Sequence, residues 1–161
     1  MNSEVLKAKQ NIVSEIVDLA KESQSVIIAE YRGLTVANLM EIRRALRADG
    51  SSLNVYKNSL VSRAGATLGY DGLDEYLSGP NAIIFSKEIS NGPKVLAKYA
   101  KKFPEALKIK GGIVEGKVVD ASVINEVAKL PGREGLLSMF LSCLQAPVRQ
   151  FACAVKAVAD K

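Results

Sequence analysis

The feature that most constrains this chain is an apolar segment close to its carboxyl end. Of the 24 residues from Leu136 to Ala159, 17 are Ala, Val, Leu, Met, Phe or Cys. Apolar side chains recur there at alternating spacings of four and three residues, which is the period of an α-helix with one continuous apolar stripe. The stripe consists of Leu137, Leu141, Leu144, Val148, Phe151, Val155 and Val158, and Phe140 widens it. A helix this apolar needs something to cover it.

Three kinds of cover are open to such a helix. A membrane is the least suitable, because Pro147, Arg149 and Lys156 interrupt the run before it reaches about 18 uncharged apolar residues. Packing against its own domain is a second alternative. The helix would however be about 40 Å long at about 1.5 Å per residue, which is longer than a small domain is wide. We therefore expect a protruding helix that docks other proteins.

Pro147 divides this predicted helix into two similar halves. A proline inside a helix removes one backbone hydrogen bond, so we expect a kink or a break near residues 143–147. The first half carries Leu137, Leu141 and Leu144, and the second carries Phe151, Val155 and Val158. Two halves of similar apolar character predict two consecutive docking sites.

The chain before Pro131 alternates short β-branched runs with amphipathic helical patterns, which is typical of an α/β or α+β domain. Thr35 and Asn58 are placed to cap two of the helices. We predict helices over 4–23, 36–49, 59–68 and 93–103, and strands over 25–31, 52–56, 82–85, 107–114 and 117–119. The sequence thus predicts helices packed on a small mixed sheet in residues 1–131, followed by the protruding helix in residues 132–161.

Positive charge is concentrated in one part of this domain. The net charge of +5 is only a mild indication of an anionic partner. Five of the seven arginines, however, lie between residues 32 and 63. Arginine pairs with phosphate through two parallel hydrogen bonds, so this stretch favours binding to a nucleic-acid backbone, with a solvated helix face as the alternative. Its basic residues are Arg32, Arg43, Arg44, Arg47, Lys57 and Arg63, and a second basic run contains Lys94, Lys98, Lys101, Lys102, Lys108 and Lys110.

Several enzyme classes are excluded by composition. The chain has no histidine, which removes imidazole acid–base catalysis and His-containing metal sites. Residues 111–117 have the glycine and lysine spacing of a phosphate-binding loop, but Val118 follows where a Mg²⁺-binding hydroxyl is required, and no helix begins there. We expect no catalytic residue, metal or cofactor.

The compartment is indicated by the cysteines and by the amino-terminal residues. Cys143 and Cys153 would lie roughly 15 Å apart on one helix, which is too far for a disulfide. We expect them as buried or half-buried apolar side chains, and unpaired thiols fit a reducing compartment. The first 22 residues contain four acids and no apolar core, unlike a secretion or import signal. We expect a cytoplasmic protein without a membrane segment.

Short motifs along the whole chain also carry a family resemblance. They are Tyr-Arg-Gly-Leu-Thr at 31–35, Ile-Arg-Arg-Ala-Leu-Arg at 42–47, Val-Tyr-Lys-Asn-Ser-Leu at 55–60 with Arg63-Ala64 behind it, Gly79-Pro80, and the apolar carboxyl-terminal helix. In this order and spacing they resemble the bacterial family of large-subunit ribosomal protein ten, which forms the base of the ribosomal stalk.

The resemblance implies a non-enzymatic protein of the large ribosomal subunit. The domain would anchor on large-subunit ribosomal RNA beside another stalk-base protein. The helix would carry dimers of the small acidic stalk protein, which recruit GTP-bound translation factors. Arg32, Gly33, Lys57 and Asn58 look like the RNA-facing motif of the family. Longer members have a further helical segment after the position of Lys161, so we expect two dimers here.

These considerations give two sets of candidate residues and leave two alternatives open. The predicted RNA-binding residues are Arg32, Gly33, Arg43, Arg47, Lys57, Asn58 and Arg63. The predicted docking residues are Leu137, Phe140, Leu141, Leu144, Val148, Phe151, Val155 and Val158. The first alternative is a self-associating coiled-coil RNA-binding protein whose carboxyl-terminal helices pair with each other. The second is a small-molecule enzyme that uses the loop at residues 111–117.

Overall fold

The computed structural model describes residues 3–70, 72–104 and 106–159. Their contacts divide the chain into two compact units, residues 1–129 and residues 130–161. The helices are α1 (Ser3–Glu22), α2 (Val36–Ala48), α3 (Asn58–Leu68), α4 (Asn91–Lys102), α5 (Ala121–Val127) and α6 (Arg133–Ala159). The strands are β1 (Ser25–Glu30), β2 (Ser51–Asn54), β3 (Asn81–Ser86), β4 (Lys108–Val114) and β5 (Lys117–Asp120).

The first unit is built on a five-stranded sheet with the order β2-β3-β1-β4-β5. The predicted α/β fold class, with a small sheet, packed helices and a long last helix, is confirmed. The prediction of a mixed sheet was wrong in one respect, because every strand pairing is antiparallel. β1 and β2 do run in the same direction on either side of α2. They never pair, because β3 lies between them and runs the opposite way.

Helices cover both faces of this sheet, and the alternation of side chains along β1 shows why. Val26 and Ile28 pack in a cluster with residues of α1 and α3. Ile27 and Ala29 point to the other face and pack with residues of α2, α4 and α5. A central strand buried on both faces reads as a continuous apolar run, as this one does. Three layers result, with α1 and α3 on one side of the sheet and α2, α4 and α5 on the other.

Local chemistry explains several of the helix and strand ends. Thr35 caps α2 as predicted, and its Oγ1 accepts a hydrogen bond from the Asn38 N–H at 3.3 Å. Asn58 was predicted to cap α3, but Lys57 is the capping residue and Asn58 is the first residue of the helix. The Asn58 amide instead donates to a backbone carbonyl outside α3, the Gly79 O, at 2.9 Å. Residues 111–117 belong to the β4–β5 hairpin.

The second unit consists of α6 and the residues that lead into it. The helix continues through Pro147, so the predicted break is absent. One missing hydrogen bond is tolerable in a helix of 27 residues, most of which are good helix formers. Cys143 and Cys153 were expected to be buried or half-buried, but both are exposed. They share that exposure with their helix, in which no described residue is buried.

Candidate nucleic-acid interface and exposed helix

Motifs that lie far apart in sequence meet at one end of the sheet. Glu30, the last residue of β1, is the register partner of Asn81 in β3 and of Lys108 in β4. β1 and β2 therefore end where β3 and β4 begin. Arg32 follows β1, Lys57 follows β2, and both side chains are exposed, as is that of Lys108. We call this end of the sheet, with Arg32, Lys57 and Lys108, the basic edge.

Hydrogen bonds hold the connections of the basic edge together. The Asn58 Nδ2 donates to the Gly79 O at 2.9 Å, which joins the start of α3 to the turn before β3. The Tyr31 N–H donates to the Pro80 O at 3.4 Å, which joins the loop after β1 to the same turn. Gly33 has a φ of +91°, a conformation that favours glycine. The three motifs therefore form one connected surface.

The loop that carries Lys57 is also fixed from α1. The Tyr56 hydroxyl donates to the Glu15 Oε1 at 3.1 Å and accepts from the Asn54 Nδ2 at the same distance. Burial raises the pKa of Tyr56, and the bond to the Glu15 carboxylate adds to the rise. The hydroxyl therefore stays protonated and keeps donating at neutral pH. Lys57 consequently extends from a loop whose neighbouring side chain is held.

The only acid at the end of β1 is compensated within the protein. Glu30 Oε2 lies 3.0 Å from the Nζ of Lys110, and both side chains are about four-fifths buried. The same Nζ lies 3.2 Å from the Asn81 Oδ1 and also donates to the Ser78 O. Lys110 is thus occupied by protein groups. Since Glu30 is neutralised, it does not offset the exposed cations of the basic edge.

Two helices add to that field. α2 and α3 both begin at the basic edge, directly after the Arg32 and Lys57 loops. The amino-terminal end of a helix carries a partial positive charge and unpaired backbone N–H groups. The edge thus combines basic side chains with two helix starts, an arrangement suited to phosphate groups.

The remaining predicted RNA-binding residues are not brought into the same place. Arg43 and Arg47 lie on α2, and the Arg43 Nη1 lies 3.5 Å from the sulfur of Met40. Arg63 lies on α3, in the layer on the opposite side of the sheet. A flat ligand on one face of the sheet cannot touch all three arginines. The sequence places them in one stretch of chain, but alternate helices of that stretch cover opposite faces.

The sequence predicts no site on α4, although its lysine run stands out there. Lys102, in the last turn of α4, lies with its Nζ 3.0 Å from the Glu41 Oε1 of α2. This hydrogen bond lowers the pKa of the Glu41 carboxyl. The Lys102 ammonium also lies 5.7 Å from the ring centre of Tyr99 and 5.4 Å from that of Phe103. Glu41, the one acid within α2 and α4, is therefore paired.

The predicted docking residues all lie on α6, and all are exposed. Phe140 is 62% exposed and Phe151 is 72% exposed, values that are unusual for phenylalanine in a soluble domain. At about 100° per residue, the eight predicted residues fall in one stripe along the helix. Six of its eight polar residues fall in a neighbouring stripe: Glu134, Ser138, Ser142, Gln145, Arg149 and Lys156. α6 is thus an amphipathic helix whose apolar side is uncovered.

Two further kinds of site can be checked over the described residues. None of the helices there is both long enough and apolar enough to span a membrane. Within the same ranges no three Cys, Asp or Glu side chains are grouped so that they could hold a metal ion.

A basic layered domain followed by a helix with an uncovered apolar side is typical of the class of proteins that attach to nucleic acid and to other proteins. Comparison with known families gives the particular member of this class. A model of the family described as ribosomal protein L10 matches residues 4–104. A second model, described as the ribosomal protein uL10 C-terminal region, matches residues 130–161.

Individual relatives agree with the family models. The large ribosomal subunit protein uL10 of Macrococcus caseolyticus is 49% identical over 162 residues, covering 100% of this chain and 94% of the relative. The protein of the same name from Bacillus cereus strain B4264 is 51% identical over 160 residues, covering 99% of this chain and 96% of the relative. The chain therefore belongs to the ribosomal protein L10 family.

Membership of this family confirms several of the sequence-based expectations. The chain is a structural constituent of the large ribosomal subunit and is not an enzyme, so the small-molecule enzyme considered for residues 111–117 is wrong. It is associated with the large-subunit ribosomal RNA and with the ribosome. The family also agrees with the expected cytoplasmic location.

Proposed function

We propose that residues 1–131 bind the ribosomal RNA at the base of the stalk and that residues 132–161 dock dimers of the acidic stalk protein. The first half of this proposal, RNA binding, rests on the observation that three motifs distant in sequence meet at the basic edge. Two hydrogen bonds join these motifs, one from Asn58 to Gly79 and one from Tyr31 to Pro80. Beside this edge lies the neighbouring stalk-base protein.

In this proposal the predicted RNA-binding residues have different tasks. Arg32 and Lys57 contact phosphate groups from exposed positions, whereas Gly33 lets the backbone come close to the RNA. Asn58 acts by holding the edge together. Arg63 on α3 and Arg43 on α2 lie in opposite layers behind the edge, and Arg47 lies in the last turn of α2, at the end of that helix farthest from the edge. RNA that meets the sheet end-on has to continue along α2 to reach Arg47.

The salt dependence of binding tests the phosphate contacts. Phosphate contacts release counterions, so the slope of log affinity against log salt should become shallower by about 0.7 to 0.9 for each contact removed. We expect this for Arg32→Ala and for Lys57→Ala, measured on a transcript of the large-subunit ribosomal RNA. Lys117→Ala, in the β4–β5 hairpin, is the matched control and should keep the slope of the wild type. Unchanged slopes for both edge variants would contradict the assignment.

The second half of the proposal is supported by the exposure of α6. The eight predicted docking residues, Leu137, Phe140, Leu141, Leu144, Val148, Phe151, Val155 and Val158, offer an apolar stripe that a partner groove can cover. The dimers bound there recruit the GTP-bound translation factors. The stripe contains two comparable apolar sets on either side of Pro147, which supports two dimers.

Deletion of residues 134–161 tests how the tasks are divided. We expect the shortened chain to bind ribosomal RNA with nearly unchanged affinity and to lose the acidic stalk protein in a pull-down of purified components. Capture of the stalk protein by the shortened chain would contradict the proposal. A wild-type chain that is dimeric on its own by mass measurement would favour the self-associating coiled coil instead.

The number of dimers is tested by charging one half of the stripe. Phe151 and Val155 are replaced by Asp, which places two carboxylates where an apolar groove has to close. Native mass spectrometry should show two bound dimers for the wild type and one for the double variant. One or three dimers on the wild type, or none on the variant, would exclude two independent sites.

A further inference from the structure

The two helical layers of the domain differ sharply in charge. α1 and α3 together contain four basic and four acidic residues. α2 and α4, which pack side by side on the other face of the sheet, contain seven basic residues and one acid. The acid is Glu41, whose charge is already compensated by Lys102 at 3.0 Å. α5 adds one acid, Glu126, to this layer. The positive charge of the domain is thus segregated to one face.

The lysines of α4 are aligned on the side of the helix that points away from the sheet. Lys94, Lys98 and Lys101 follow each other at spacings of four and three residues, so they share one stripe. All three are exposed, whereas Leu96, on the opposite side of the helix, is buried in the core together with Val95. None of the three takes part in an ion pair found among the described residues. They offer three free ammonium groups in a row.

This stripe is continuous with the basic edge. α4 begins near the far end of β3 and ends at Lys102, shortly before β4 starts at the basic edge. The loop after α4 lies close to the loop after β1, since a Cβ added to Gly33 would lie 3.8 Å from the Cβ of Ala106. A polyanion seated on the edge can therefore continue along α4 without crossing an uncompensated acid of α2 or α4.

We propose that Lys94, Lys98 and Lys101 of α4 form a second binding surface for the RNA backbone, so that the RNA runs from the basic edge across the α2 and α4 layer. Beyond the basic edge and Arg63, the α1 and α3 layer, whose charge is balanced, makes no further contact with the RNA. This inference rests on the proposed RNA binding and specifies which face of the domain the RNA covers.

The test compares two triple variants that lose the same charge. One replaces Lys94, Lys98 and Lys101 by Gln. The control replaces the exposed lysines Lys7, Lys21 and Lys117 by Gln, two of them on α1 and one in the hairpin. Binding to the shortest large-subunit ribosomal RNA transcript that the wild type protects from nuclease is measured from about 50 to about 200 mM salt. Thermal melting of each variant checks that the fold is kept.

The α4 variant should show a slope of log affinity against log salt that is shallower by about 2 to 3, and the control should match the wild type. A third variant with Arg at the same three positions should restore the slope, because it keeps the cations. Equal slopes for the two Gln variants would overturn the inference, whether both change or neither does. If the α4 variant keeps the slope of the wild type while Arg32→Ala becomes shallower, the proposed function stands and this inference fails. If the wild type binds no transcript, both fail.

Discussion

Replacing Asn58 by Ala separates the structural role of this residue from a direct contact with RNA. The Asn58 Nδ2 donates to the Gly79 O at 2.9 Å, and this bond ties α3 to the turn before β3. A neutral hydrogen bond contributes about 1 kcal/mol, and an acceptor that water can reach keeps the loss close to that value. We therefore expect the free energy of unfolding of the free protein to fall by about 1 kcal/mol.

The same change should weaken RNA binding without altering its charge dependence. If the RNA requires the joined edge, about 1 kcal/mol must be supplied on binding, which corresponds to about a fivefold rise in Kd. The slope of log Kd against log salt should stay as in the wild type, because no charge is removed. Urea denaturation and a salt series of RNA titrations measure the two quantities.

Ser59→Ala is the control for this experiment. Ser59 is the next residue of the same helical turn and is exposed, so its variant shows the gain in helix propensity alone. Asn58→Ala should be less stable than this control. If the two variants are equally stable while only Asn58→Ala loses RNA affinity, Asn58 acts on the RNA directly and the positioning role is refuted.

Three further perturbations follow from individual contacts. A Cβ on Gly112 would lie 2.4 Å from the Val26 O of the neighbouring strand. Gly112→Ala should therefore lower the free energy of unfolding, measured in urea, by about 3 kcal/mol. Gly132→Ala is the control and should change this free energy little, because a Cβ there would have nothing within 4 Å. Gly33→Val should weaken RNA binding at constant charge, because a β-branched residue is strained at a φ of +91°; wild-type affinity would contradict this. Lys102→Met should raise the pKa of Glu41 in an NMR titration, since the Lys102 hydrogen bond lowers it. Because the pKa of Glu41 is lower in the folded than in the unfolded protein, the ionised carboxylate stabilises the fold above its unfolded pKa, and this stability is lost as the pH falls through its folded pKa. The variant should lose this part of the pH dependence of the free energy of unfolding.

Much of the local structure follows from the sequence because helix periodicity and capping act over a few residues. The apolar positions of α2 and the Thr35 cap predict that helix within a residue at its start. α5 was missed, because it has seven residues and only Ile124 of them is buried, which is too short for a periodic pattern. The start of α3 was assigned one residue late, since an Asn before an apolar run is typical of a cap.

The arrangement of the strands depends on contacts that no local pattern encodes. β3 inserts between β1 and β2 and makes every pairing antiparallel, which the order of elements along the chain does not reveal. The same non-local step decides the candidate site. Arg32 and Lys57 meet because β1 and β2 end at one edge, whereas Arg63 and Arg43, twenty positions apart, lie on opposite sides of the sheet.

The uncovered stripe of α6 also places a condition on how the cell can produce this chain. As long as nothing covers Phe140, Phe151 and their neighbours, they are open to chaperones, to proteases and to other copies of the same helix. Aggregation through such surfaces grows with concentration, and degradation removes what chaperones do not shield. We therefore expect surplus copies to be short-lived, so that the steady level of the chain follows the supply of whatever covers α6.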